Sequence, residues 1–364
     1  MIDRRLLINF DWFFFLLTLA LAGVGLLNLY SASQVVGGAR GGDTYLRQIY
    51  WLALSLFALG LVLRLDFRRL RRYSYAVYGF CIVLLFAVSL FGRSSSGAKR
   101  WLSVMGLSFQ PAEMMKLGLV LALAYYFAKT PGPVRLKGLA WPFLILLLPV
   151  LLILKQPDLG TAIILMLMFF SLLLLADVPW KTMLAVFSAT LLLSPLSWFF
   201  LKGYQKARIT AFLDPLADPS GAGYQSLQSK IAVGSGKILG KGFLAGTQTK
   251  LRFLPEQQTD FIFSVLAEEW GLIGAVVLLS LYIFWIARAL KIAAQGRSTF
   301  GTYITYGVAS LLVWQVLLNI SMAIGLLPVV GVPLPFMSYG GSSLLTFFIG
   351  AGLILNVGMR RFVP

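Results

Sequence analysis

Four carboxylates, Glu256, Asp260, Glu268 and Glu269, fall within one stretch, Phe253-Leu-Pro-Glu-Gln-Gln-Thr-Asp260-Phe-Ile-Phe-Ser-Val-Leu-Ala-Glu268-Glu269-Trp-Gly271. Asp260 stands where a long polar loop turns into a long apolar run, with water on one side and hydrocarbon on the other. A carboxylate so close to lipid is costly when unpaired, and ionisable residues at that depth are by default functional. Such a group can accept a proton from a hydroxyl as that hydroxyl attacks. Its basicity answers to two opposed effects: desolvation raises the pKa and neighbouring cations lower it. The same position also suits a helix start, because Thr259 and Asp260 are both good N-caps and acidic groups favour the positive end of the helix dipole. Both readings stand at this level.

Other clusters carry charge or broken backbone. Lys99-Arg100-Trp101 precedes Phe109-Gln-Pro-Ala-Glu113-Met-Met-Lys116. Pro111 there opens a helix, and Glu113 and Lys116, three apart, share a face, so an internal ion pair would account for both. Lys155-Gln-Pro-Asp158-Leu-Gly-Thr161 joins two apolar runs through a very short loop, and Asp158 reads equally as a site residue or a helix cap. Gly325-Leu-Leu-Pro-Val-Val-Gly-Val-Pro-Leu-Pro-Phe-Met-Ser-Tyr-Gly-Gly-Ser-Ser343 is apolar yet irregular. Backbone of that kind is tolerated at membrane depth where it is buried in protein or lines a cavity. The loop before Asp260 contributes Lys202, Lys206, Arg208, Lys230, Lys237, Lys241, Lys250 and Arg252. Cations of this sort suit a diphosphate, arginine bidentately and lysine as a point charge.

These residues must be positioned by membrane helices. The chain is 59% hydrophobic and 12% charged, about half the charge of a soluble domain. Apolar runs of bilayer-spanning length occur at 11–33, 46–65, 73–91, 111–128, 139–154, 160–176, 180–201, 261–290, 303–326 and 342–359. The expected fold is therefore all-α: a polytopic membrane protein of about ten transmembrane helices, one unit over 1–364, with a large extracytoplasmic loop at 202–259. Arg4, Arg5, the arginines from Arg64 to Arg72, Lys129, Arg135, Lys137, Lys181, Arg288, Lys291, Arg297, Arg360 and Arg361 fall on one side. The positive-inside rule then places both termini in the cytoplasm. Within the long loop, residues 214–224 read as turns, and 225–238 as a surface helix with Leu227, Ile231 and Ile238 at helical spacing.

The net charge of +18 fits anionic headgroups or a lipid-linked anionic substrate better than nucleic acid, for which too little chain lies outside the apolar runs. There is no histidine, which excludes a histidine base, a Ser-His-Asp triad and histidine-ligated metal. The single cysteine, Cys81, forms no intramolecular disulfide.

Several of these segments carry a family likeness. Tyr30-Ser-Ala-Ser33, Gly97-Ala-Lys-Arg-Trp101, Phe109-Gln-Pro-Ala-Glu113, Gln156-Pro-Asp-Leu-Gly-Thr161, Gly221-Ala-Gly-Tyr224, the Asp260 stretch and the segment from Gly331 to Ser343 resemble the SEDS family (shape, elongation, division and sporulation). Gly246-Thr-Gln248 and Ala267-Glu-Glu269 look more like its RodA branch than its FtsW branch. The resemblance covers nearly the whole chain. It implies a peptidoglycan glycosyltransferase that polymerises lipid II into a growing glycan strand at the outer face of the inner membrane during cell elongation. Lipid II flipping and non-catalytic scaffolding are the alternative functions.

The resemblance maps the family's essential aspartate onto Asp260. It maps polar cavity positions onto Glu113, Lys116 and Asp158, and basic ones onto Arg100, Arg208, Lys230 and Lys241. It implies a class B penicillin-binding protein as partner; Gly350-Ala-Gly352 offers a small-residue surface for its membrane helix, or equally serves packing within the bundle. No cofactor follows from it, and a divalent cation at the diphosphate stays open.

Overall fold

The computed structural model describes residues 8–34, 41–95, 98–104, 107–130, 136–200, 203–214, 221–251 and 253–361. Arg4, Arg5, Arg135, Lys202, Arg252, Gly97 and residues 215–220 of the expected turns lie outside the described residues. Each of the ten apolar runs is helical. They form α1 (Trp12–Ser33), α2 (Gly41–Arg64), α3 (Phe67–Phe91), α4 (Pro111–Lys129), α5 (Ala140–Lys155), α6 (Leu159–Leu175), α7 (Trp180–Phe200), α10 (Ile262–Gln295), α11 (Thr299–Ala323) and α12 (Gly341–Met359). The long loop contributes α8 (Gly203–Leu213) and α9 (Ala222–Ser235). The architecture is all-α and multi-pass.

Length and composition qualify six of these helices as membrane spans: α1, α2, α3, α10, α11 and α12. Helices α5 and α6 have 16 and 17 residues, roughly 24–26 Å at 1.5 Å per residue against a hydrocarbon core of about 30 Å. Helix α4 is buried along both faces, and its buried set includes Glu113 and Lys116. It packs against α3, α5, α11 and α12 and forms the centre of the bundle.

Three departures from the sequence reading affect the site. Between α3 and α4 the chain forms a small antiparallel sheet, β1 (Arg93–Ser95), β2 (Ala98–Val104) and β3 (Leu107–Phe109), which presents Arg100 on β2. Helix α9 starts and ends three residues earlier than expected. Its inward face is made of small residues, with Ser226, Ser229 and Ala232 buried, while Leu227 and Ile231 are exposed. The Gly350-Ala-Gly352 surface is not open to a partner. A Cβ at Gly350 would meet Val308 at 2.8 Å, and one at Gly352 would meet Val62 at 3.3 Å, so these glycines let α12 approach α11 and α2.

Helix α10 is broken at Gly271, whose φ of 65° and ψ of −160° leave the helical region. Residues 237–242 enter the gap. Lys241 N donates to Glu268 O at 3.0 Å and Gly242 N to Glu269 O at 3.0 Å. Leu272 N donates to Lys237 O at 2.9 Å and Ile273 N to Ile238 O at 3.2 Å. In an unbroken helix Leu272 and Ile273 would donate to Glu268 and Glu269. The inserted loop satisfies all four groups that the break sets free, as backbone at membrane depth requires. Only glycine fits at 271: a Cβ there would lie 2.5 Å from Ile238 O and collide with Gly240 N.

Candidate active site

Asp260 lies two residues ahead of α10, closing a turn in which its N–H donates to Glu256 O at 3.1 Å. No side chain caps α10, so the capping alternative for Asp260 is not realised. The turn is held against the 325–340 segment through its backbone carbonyls: Tyr339 N donates to Gln258 O at 2.8 Å, and the side-chain hydroxyl of Ser338 to Thr259 O at 2.5 Å. Asn319, on α11, donates its Nδ2 to Asp260 O at 2.8 Å and to Val332 O at 2.7 Å.

Gly331 lies beside both the carboxylate and a guanidinium. A Cβ added there would lie 3.4 Å from Asp260 Oδ2 and 3.6 Å from Arg208 Nη1. The residue's φ of 72° is a left-handed conformation that glycine adopts without strain. Arg208, half-buried on α8, donates to Val329 O at 3.2 Å. Arg100 donates from Nε to Gln156 O at 3.2 Å and also contacts Pro157 O. Asp158 follows and is buried. Its Oδ1 accepts from Thr161 N at 3.2 Å, capping α6, and its Oδ2 accepts from Thr161 Oγ1 and Gln110 Nε2, each at 3.1 Å.

This environment sets the basicity of Asp260. Burial among protein atoms pushes its carboxyl up to about 6, with Glu256 and Asp158 adding to the rise. Arg208 and, less strongly, Arg100 oppose it. Desolvation thus outweighs the neighbouring cations. A carboxylate tuned to about 6 is mostly ionised at neutral pH and is a better proton acceptor than one near 4.

The structure brings Asp260, Arg208, Arg100 and Asp158 into one electrostatic neighbourhood. Glu113 and Lys116 form a buried pair at 2.6 Å on α4. Lys116 Nζ also donates to Gln315 Oε1 at 2.8 Å, and Gln315 Nε2 donates to Pro333 O at 2.9 Å, which connects this pair to the 325–340 segment. Lys230 is exposed on α9 and lays its stem against Gly325. Lys241 is engaged elsewhere: its ammonium lies 2.7 Å from Glu268, whose side chain is fully buried. Glu268 Oε1 also accepts from Thr247 N at 2.8 Å and Gln248 N at 3.1 Å.

Sequence reasoning passed over Gln315, Asn319 and the particular role of Gly331. The first two had a signal: two amides four residues apart inside an apolar run, on one face of a helix.

The chain is similar to known proteins along nearly its whole length. The family model for the FtsW, RodA and SpoVE group, described as "Cell cycle protein", matches residues 11–362. The peptidoglycan glycosyltransferase MrdB of Escherichia coli K12 is 42% identical over 338 residues, covering 92% of this chain and 91% of that protein. The peptidoglycan glycosyltransferase RodA of Treponema pallidum is 31% identical, covering 97% and 98%. A chain from a solved peptidoglycan synthase complex, described as coordinating polymerization and crosslinking, superposes with a TM-score of 0.83 at 34% identity, covering 98% of this chain and 99% of that one. The crystal structure of rod-shape-determining protein RodA from Thermus thermophilus superposes at 0.74 with 32% identity, covering 98% of each.

Proposed function

Because the chain belongs to the FtsW/RodA/SpoVE family, we propose that Asp260 is the general base with which it joins lipid II units into glycan strands. The protein is a multi-pass inner-membrane protein and a peptidoglycan glycosyltransferase, the activity by which its MrdB and RodA relatives are named. In the step assigned to Asp260, an acceptor sugar hydroxyl attacks the anomeric carbon of a lipid-linked donor. The new glycosidic bond forms as the bond to the diphosphate breaks. The electron pair leaves with the lipid diphosphate, and the hydroxyl proton passes to the Asp260 carboxylate.

The observation that carries this reading is the juxtaposition of a half-buried carboxylate of raised pKa with Arg208 beside the same glycine. The missing side chain at Gly331 leaves room beside both groups. Arg208 and Arg100 would receive the charge that develops on the diphosphate. Lys230 and Lys241 stand as further substrate contacts, although Lys241 would share its ammonium with Glu268. Glu113 and Lys116, buried and paired with each other, and Asp158, buried as the cap of α6, stand as further polar positions of the site.

The same reading takes residues 1–364 as one unit with ten crossings, both termini cytoplasmic and the 202–259 loop outside. A class B penicillin-binding protein is its crosslinking partner, in keeping with the solved synthase complex. The test is direct. Purified protein should convert lipid II into glycan strands, and Asp260→Asn should lower the rate by about 10²–10⁴-fold while lipid II binding and melting temperature survive. An Asp260→Asn protein that polymerises at the wild-type rate overturns the assignment.

A further inference from the structure

We propose that Asn319 is a positioning residue for glycan synthesis, its side-chain amide tying the backbone of Asp260 to the 325–340 segment and so fixing the carboxylate relative to Gly331 and Arg208. The inference deepens the reading of Asp260 as the base and rests on it.

Asn319 is fully buried on α11, one turn beyond Gln315. Both protons of its amide are committed, one to Asp260 O at 2.8 Å and one to Val332 O at 2.7 Å. Two carbonyl oxygens can be met only by an NH2 group, so the chemistry fixes the amide's orientation. Among the described residues its Oδ1 is buried without a hydrogen-bond partner. A buried polar atom left so is unusual in a folded protein and invites explanation. The explanation here is geometric: turning the amide to satisfy its oxygen would release Asp260 or Val332.

The position of the bridge gives it leverage. Val332 follows Gly331, the residue whose Cβ would sit 3.4 Å from Asp260 Oδ2 and 3.6 Å from Arg208 Nη1. Ser338 and Tyr339 join the same two segments at Thr259 and Gln258, and Asn319 is the side chain that ties Asp260 itself to the residue after Gly331. Gln315 grips the neighbouring Pro333 O at 2.9 Å but does not replace this link, since its other end serves Lys116. The charged groups facing Asp260 are Arg208 of α8, Glu256 of its own turn, Arg100 of β2 and Asp158 at the start of α6. A slack tether changes the distance to each of them, and first to Arg208.

The experiment compares wild type, Asn319→Ala, Asn319→Asp, Gly331→Ala and Asp260→Asn as purified full-length proteins, with initial rates on lipid II followed across pH. Misplacement of a reacting group by about an ångström can cost about 10²-fold, so kcat for Asn319→Ala should fall by about 10- to 100-fold. KM should stay within about threefold, because Asn319 touches no substrate. The acid limb of the pH profile should move to higher pH as Asp260 loses part of the Arg208 field. Asn319→Asp, nearly the same shape, should be at least as impaired, because its oxygens would face two carbonyls.

A merely structural asparagine would lower yield and melting temperature and leave kcat per folded molecule and the acid limb at wild-type values. That result overturns the proposal. If neither Asn319 variant folds, Gly331→Ala decides, since alanine is strained at the φ of 72° and shifts the backbone that Asn319 holds at Val332. A displaced limb supports the tether and an unmoved limb overturns it. Asp260→Asn separates the two layers: should it remain active, the base assignment itself has failed. Should it be inactive while Asn319→Ala keeps wild-type kcat and limb, only the tether has failed.

Discussion

Replacing Arg208 with Gln tests the electrostatic account of the site directly, because it removes one charge and keeps a hydrogen-bonding side chain of moderate length. In the wild type Asp260 titrates at about 6, and Arg208 is the largest influence holding it down. The active form of a general base is the ionised one, so activity is present above that value and lost as pH falls through it. The distances of 3.4 and 3.6 Å from a Cβ at Gly331 put the two charged groups at most about 7 Å apart, worth roughly 0.6–2.4 kcal/mol for effective dielectric constants between about 80 and 20. At about 1.4 kcal/mol per pKa unit, the acid limb of kcat/KM should move upward by about 0.4 to 1.7 pH units. Saturation with lipid II should weaken at the same time, since a charge-assisted contact to diphosphate contributes about 1.5–3 kcal/mol. The assay is glycan-strand synthesis by purified protein over a pH series at limiting and saturating lipid II. An acid limb that stays at its wild-type position would refute the proximity argument, whatever happens to affinity.

Further outcomes concern the scaffold around the site. Lys241→Ala should strand the buried Glu268 carboxylate and cost about 3–5 kcal/mol, read as a clear fall in melting temperature; Glu268→Gln, which still accepts from Thr247 and Gln248, should lose less. An unchanged melting temperature for Lys241→Ala would return that lysine to a purely substrate-facing role. Gly271→Ala should fail to accumulate as folded protein, because the residue's positive φ and its contacts with Gly240 and Ile238 leave no room for a methyl group; normal yield and thermal stability would contradict the broken-helix geometry. Reporter fusions after Arg72 and Gln295 should signal the cytoplasm and fusions within the 202–259 loop the outside. Reversed signals would invert the topology and remove the case for an external substrate.

The helices were legible because hydrocarbon imposes a simple rule: long uninterrupted apolar runs must be helical, and every such run is. Legibility ended where backbone geometry is decided by distant partners. Nothing near Gly271 announces that residues 237–242 will enter its hydrogen-bond ladder, because the two segments meet only in the folded molecule. The strands carrying Arg100 are short, and their polar residues follow no clear alternation, so they read as loop. Asp260 was identifiable from its place at the edge of an apolar run. Its capping alternative was settled only by the observed start of α10. Lys241 shows the opposite limit: a lysine in a basic loop looks available for phosphate, and only the fold reveals that it faces a buried glutamate.

The insertion of residues 237–242 into α10 also bears on how the protein is made. These residues leave the ribosome before Gly271 does, so the segment that completes the broken helix already exists when that helix is synthesised. It must nevertheless wait, because its own partners, the carbonyls of Glu268 and Glu269 and the N–H groups of Leu272 and Ile273, come later in the chain. Residues 243 to 267 thus form a closed loop pinned at both ends, with Asp260 near one of them. The length of that loop is consequently fixed by two attachment points. An inserted residue between 260 and 268 would shift the base along the helix axis by about 1.5 Å.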